Sequence, residues 1–186
     1  MSATAREVRA QRALPAWMLG AAGLGLLASR AVAHPSRAVL VLMFGAIGVA
    51  SVARPVSRDR ARMRPVVVTA IGIGAVWLAG TMTGAAPPAA TGPLLAAVAL
   101  NTLAAVAEEA FFRRFLYDRA LRFGAAAAVC ITALLFAAVH VPVYGVSVFW
   151  VDLGAGLLFG WQRWASGTWL APAATHAAAN LLVILR

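Results

Sequence analysis

The sequence predicts an all-α fold, a polytopic transmembrane helical bundle of about seven spans, with six and eight as bounds. Three observations carry this prediction. The 186-residue chain is 62% hydrophobic with only 16 basic and 6 acidic residues, so most of its length has no charge with which to face water. Its apolar residues fall in runs about as long as a membrane-crossing helix requires. Its basic residues, every one an arginine, cluster between those runs.

The first run, 14 to 29, follows the basic stretch MSATAREVRAQR. With AVA at 31 to 33 it imitates a signal peptide and its cleavage site. Arg30 lies just before that motif, however, and a retained span with a basic flank accounts for the same residues, so retention is expected. The second run, 38 to 53, leads into RPVSRDRARMR at 54 to 64, a loop too short and too charged to be a domain. The third, 65 to 83, stops at GAAPPAATGP, 84 to 93, an uncharged break rich in Gly and Pro. The fourth, 93 to 108, ends on a pair of acids in AVAEEAFFRR. The fifth, 124 to 140, starts within LRFGAA at Gly124 and holds the single cysteine, Cys130, read as a small apolar core residue. The sixth, 145 to 161, contains Asp152 and GAGLLFG, whose Gly156 and Gly160 stand four apart and permit close helix packing. The seventh is 168 to 185.

Residues 1–92 are therefore read as transmembrane helices without motifs, and 93–186 as the part that carries the chemistry, within one membrane domain. Arg residues on alternate sides of the spans divide 13 to 3, with Arg30, Arg37 and Arg186 in the minority. The positive-inside rule then places the N-terminus in the cytoplasm and, with seven spans, the C-terminus outside. The expected location is the bacterial cytoplasmic membrane, with the lipid bilayer as a partner. A net charge of +10 raises nucleic acid as a ligand, but arginines separated by whole spans form no continuous stripe, and no nucleic-acid binding is expected.

Polar residues in the later spans are few: Glu108, Glu109, His140, Asp152, His176 and Asn180, with Arg113 and Arg114 beyond the acids. Each costs insertion energy and must face protein or a wet cavity. Glu109 and Arg113 are four apart, acid first, the better orientation for an intrahelical pair. Glu108 then points about 100° away and is available to another helix. Gly124 lies midway between Glu108 and His140, so two antiparallel helices joined there return both to one depth, roughly 24 Å from the turn. His176 and Asn180 share a face, and an imidazole beside an amide can donate hydrogen bonds to a developing oxyanion.

The spacing EEAFFR at 108–113, FAAVH at 136–140 and HAAAN at 176–180 resembles the CPBP family of intramembrane proteases, which includes type II CAAX prenyl endopeptidases and bacterial Abi-type proteins. GTWLAPAATHAAANLL is similar to that family's last conserved segment. The resemblance covers about 93–186 and implies an intramembrane peptidase. It further implies that Glu108 and His140 activate the attacking water, that His176 and Asn180 stabilise the oxyanion, and that Glu109 and Arg113 support them. The family pattern often has Gly after the Arg, where this chain has Arg114, for which Asp118 is the expected partner. Asp152 is left over: it either orients His140 or His176 through a ring N–H or pairs with a buried hydroxyl.

No cofactor is certain. Glu108, His140 and His176 are the three residues that would hold a zinc ion with an open fourth position, but neither His lies in HExxH, and a metal-free Glu and His design is favoured. The substrate expected is a peptide or a membrane-anchored protein. The alternative is a non-catalytic binding or immunity protein of the same fold. A proton relay through Glu108, His140 and Asp152 stands behind both, since it leaves His176 and Asn180 unexplained and no inverted repeat is visible.

Overall fold

The structure is a computed structural model that describes residues 15–33, 35–55, 60–83 and 93–185. The N-terminal arginines Arg6, Arg9 and Arg12, Arg58 in the basic loop, most of the Gly/Pro break at 84–93 and Arg186 lie outside the described residues. Among those described, seven helices follow one another: α1 Ala16–Ala33, α2 Arg37–Val52, α3 Pro65–Thr83, α4 Leu94–Phe123, α5 Ala125–Tyr144, α6 Phe149–Ser166 and α7 Leu170–Ile184. No strand occurs among these residues. The all-α bundle is as the sequence predicts.

Local chemistry sets the boundaries. Ser36 caps α2, its hydroxyl accepting from the Val39 N–H. Pro65 opens α3 at the position where a missing N–H costs nothing. Gly124 at φ +94° ends α4, and Gly167 at φ +68° closes α6 in the left-handed conformation that favours glycine.

By length and composition α1, α4 and α5 are apolar enough to cross a membrane, while α2, α3 and α7 are shorter apolar helices. The polarity of the bundle is inverted relative to a water-soluble protein. Glu109 and Arg113 are wholly buried, whereas Leu42 and Leu95 are 73% and 84% exposed, which suits a surface in contact with lipid chains. With no hydrophobic drive between helices in lipid, close packing and internal hydrogen bonds hold the bundle together.

Helix α4 continues beyond the apolar run that ends at 108 and reaches the turn at Gly124. The stretch Ala110–Leu116, directly after the two acids, is wound as a π-helix before α winding resumes at Tyr117. The arginine-bearing segment between the acids and Gly124 is thus helical throughout. Its Phe111, Phe112 and Phe115 enter the main core beside Leu27, Phe44, Phe136 and Phe159. Gly23 of α1 makes room for this, since a methyl group there would run into the Phe111 ring.

Two further contacts fix the other helices. Gly156 and Gly160 let α6 lie against α5, where added Cβ atoms would stand 2.9 Å from the Ala133 Cα and the Val129 Cγ1. Gln162, two residues after Gly160 on α6, donates to the Val68 carbonyl at 3.0 Å and to the Thr175 hydroxyl at 2.8 Å, joining α3, α6 and α7.

Arg114 does not pair with Asp118. Its Nη1 donates to the carbonyls of Ser51 and Arg54 at 2.7 and 2.8 Å, while Asp118 takes Arg119 at 2.7 Å. The i,i+4 rule assumes α winding, and the π turn rotates Arg114 away from residue 118. It reaches instead the Ser51 carbonyl in the last turn of α2, where carbonyls lack helical partners and carry partial negative charge, and the Arg54 carbonyl just beyond that helix.

Candidate active site

Glu108 and Glu109 end the regular part of α4, and π winding, frequent at functional sites, begins one residue later. Consecutive helical residues diverge, so the two carboxylates serve different neighbours. Both are buried, 3% and 0% exposed.

Glu109 faces the protein interior. Its Oε1 accepts from Arg113 Nη1 at 3.3 Å and lies 3.0 Å from His176 Nδ1. Arg113 is fixed on its other side by donating from Nη2 to the Gly156 carbonyl at 3.0 Å, an acceptor that the close approach of α5 and α6 brings within reach. The guanidinium also lies over the Phe136 ring, 4.6 Å from its centroid.

Glu108 faces a cavity of about 580 Å³ that His140, His176, Asn180 and Asp152 also line. Its Oε2 is 3.8 Å from His140 Nε2, longer than a direct hydrogen bond. His140 Nδ1 lies 2.7 Å from the Phe136 carbonyl. A carbonyl only accepts, so the hydrogen is assigned to Nδ1 and the neutral ring presents the Nε2 lone pair towards Glu108. Tyr144 stacks on the same ring at 5.8 Å between centroids.

On α7, His176 and Asn180 follow the i,i+4 spacing. The His176 ring stacks on Phe159 at 5.0 Å, and with Nδ1 held by Glu109 its Nε2 is the nitrogen left for a ligand. Asn180 Nδ2 donates to the backbone carbonyl of Asn101 on α4 at 3.2 Å, leaving its second amide hydrogen. All four residues carried over from the motifs therefore border one cavity.

Asp152 borders it too, but neither imidazole is oriented by it: the Phe136 carbonyl holds His140 and Glu109 holds His176. No hydroxyl hydrogen-bonds to it among the described residues either, and its carboxyl interacts with both imidazoles through charge rather than through a hydrogen bond.

Sequence reasoning passed over two residues. Asn101 lines the cavity and supplies the acceptor for Asn180. Arg30, counted only towards topology, sits in the last turn of α1 with Nη1 3.4 Å from Glu108 Oε1. Glu108 is thus not an unpaired acid. A charged residue directly after the apolar run 14 to 29 and before the apolar AVA was the available signal.

A zinc ion would need Glu108, His140 and His176 gathered around one point about 2 Å from each donor atom. Among the described residues no three His, Cys, Asp or Glu side chains are so gathered, and the Arg30 guanidinium already stands beside Oε1 of Glu108. The residues as arranged do not fit zinc.

A family model described as type II CAAX prenyl endopeptidase Rce1-like matches residues 90–182, half of the chain. The chain belongs to that family. A search of curated proteins and one of solved structures find no match. As a type II CAAX prenyl endopeptidase Rce1-like protein it is a membrane protein with intramembrane protease activity of the general CAAX class, a hydrolase. The matched segment spans α4 to α7 and so contains every motif residue, whereas Arg30 lies outside it.

Proposed function

We propose that this Rce1-like protein hydrolyses a peptide bond of a membrane-associated or peptide substrate by means of a water activated between Glu108 and His140. The observation that carries the reading is the 3.8 Å gap between Glu108 Oε2 and His140 Nε2, within a cavity that His176 and Asn180 also face.

Such a gap suits a water that hydrogen-bonds to both groups. Glu108 removes a proton from that water as its oxygen attacks the scissile carbonyl carbon, and the carbonyl electrons move onto oxygen. The free amide hydrogen of Asn180 and the Nε2 of His176 face the resulting oxyanion. Donation from Nε2 requires the ring to carry both hydrogens, and the Glu109 carboxylate, 3.0 Å from Nδ1, faces the charge of that form. Collapse of the tetrahedral species breaks the C–N bond, and the proton held by Glu108 passes to the leaving amine. Glu109 and Arg113 position His176 rather than touching substrate. No step in this scheme passes through a metal.

The test is product analysis. Purified protein in detergent is incubated with a farnesylated peptide ending in a CAAX sequence and with its unlipidated form, in ¹⁸O-labelled water, with and without a chelator. A new C-terminus carrying ¹⁸O, produced equally with the chelator, supports hydrolysis as written. Loss on chelation would require a metal centre, and absence of cleavage by folded protein would leave the non-catalytic binder.

A further inference from the structure

Arg30 is held as a working part rather than as a plain counter-ion. Its Nε–H donates to the Leu27 carbonyl at 2.9 Å, and its guanidinium lies 5.3 Å over the Phe44 ring. Its side chain is 10% exposed. Neutralising a carboxylate is best done by two parallel hydrogen bonds in the fork geometry that arginine favours. Here a single nitrogen, Nη1, approaches Glu108 at 3.4 Å without a hydrogen bond. Nη2 is buried without a hydrogen-bond partner, a costly condition for a charged group, and the residue lines the cavity of Glu108 and His140 with Nη1 uncommitted to any hydrogen bond.

We propose that Arg30 is a further catalytic residue, whose Nη1, the terminal nitrogen beside Glu108, donates to the substrate carbonyl oxygen as it becomes an oxyanion. This rests on the reading of Glu108 and His140 as the water-activating pair. An attacked carbonyl must lie beside the water that Glu108 holds, and a donor on the flank of the same carboxylate is within reach of its oxygen. The other two donors are each half-committed: Asn180 gives one amide hydrogen to Asn101, and His176 gives Nδ1–H to Glu109. Arginine needs no added proton, because it is charged at every working pH. Helix α1, outside the family-matched segment, would then complete the site.

The experiment compares kcat and KM of wild type, Arg30→Ala, Arg30→Lys and Glu108→Gln on the farnesylated CAAX peptide. It also measures the affinity of each for a peptide phosphonate, which mimics the tetrahedral anion without turnover. Arg30→Ala is expected to lower kcat about 100- to 1000-fold with KM little changed, and to weaken phosphonate binding far more than peptide binding. Millimolar guanidinium should restore part of kcat to Arg30→Ala, and Arg30→Lys should retain part of it. A folded Arg30→Ala or Arg30→Lys with wild-type kcat, beside an inactive Glu108→Gln, would overturn the role of Arg30 and leave the Glu108 reading intact. A loss confined to KM that disappears when the peptide C-terminus is amidated would also overturn it, making Arg30 a carboxylate anchor. Full activity of Glu108→Gln would remove the underlying reading and Arg30 with it. If Arg30→Ala does not fold, Arg30→Lys and the phosphonate measurement decide.

Discussion

One oxygen of Glu109 serves both an imidazole and a guanidinium: Oε1 lies 3.0 Å from His176 Nδ1 and 3.3 Å from Arg113 Nη1. The residue read from sequence as an intrahelical anion is therefore also the group that orients an imidazole on α7. It couples the stability of the bundle to the geometry of the site.

Glu109→Gln leaves a buried guanidinium without its counter-charge, and breaking such a pair costs about 3 to 5 kcal/mol. The variant should unfold at markedly lower temperature or denaturant in detergent than Glu108→Gln, whose carboxylate borders the cavity. Equal stability of the two variants would refute the assignment of Glu109 as the structural acid.

Asn180→Ala removes an oxyanion donor, and kcat should fall about 100- to 1000-fold with KM nearly unchanged. Asn101→Ala should do much less through this contact, because Asn180 bonds to the backbone carbonyl of Asn101, which the substitution keeps. Steady-state kinetics of the two variants separate the cases.

Alanine in place of a helical glycine ordinarily stabilises by roughly 0.5 to 1 kcal/mol. At Gly156 the sign should reverse, since the new methyl would stand 2.9 Å from the Ala133 Cα, and overpacking of this kind costs about 1 to 3 kcal/mol. Gly154, with nothing within 4 Å of its added Cβ, is the control and should show no loss. Unfolding curves of the two single variants test the pair.

Arg114→Gln should destabilise by roughly 1.5 to 3 kcal/mol, the range for hydrogen bonds to a charged group, because the carbonyls of Ser51 and Arg54 lose their donor. A double-mutant cycle of Arg114 with Asp118 should give a coupling energy near zero. A coupling above about 0.5 kcal/mol would restore the pair that the sequence spacing suggests.

Much of this arrangement was legible in residue spacing. Gly124 midway between Glu108 and His140 anticipates the hairpin of α4 and α5, and the four-residue intervals of Glu109 with Arg113 and of His176 with Asn180 survive folding. What was hidden has physical causes. The π turn at Ala110–Leu116 depends on a hydrogen-bond register that no residue type specifies, and it defeats the α-helical pairing of Arg114 with Asp118. Arg30 near the end of a span looks the same in sequence whether it marks topology or enters a site. Gln162 and Asn101 are single amides in apolar runs, and only the packing of α3, α4, α6 and α7 reveals their partners.

The central claim is that Glu108 and His140 together activate the attacking water. Its most direct test is the kcat/KM of Glu108→Gln and of His140→Ala against wild type, on one peptide and with folding of each variant verified. The account predicts a loss of at least about 100-fold in each, with the double variant little worse than either single one, because the two residues act on one water. Wild-type activity in either folded variant would contradict it.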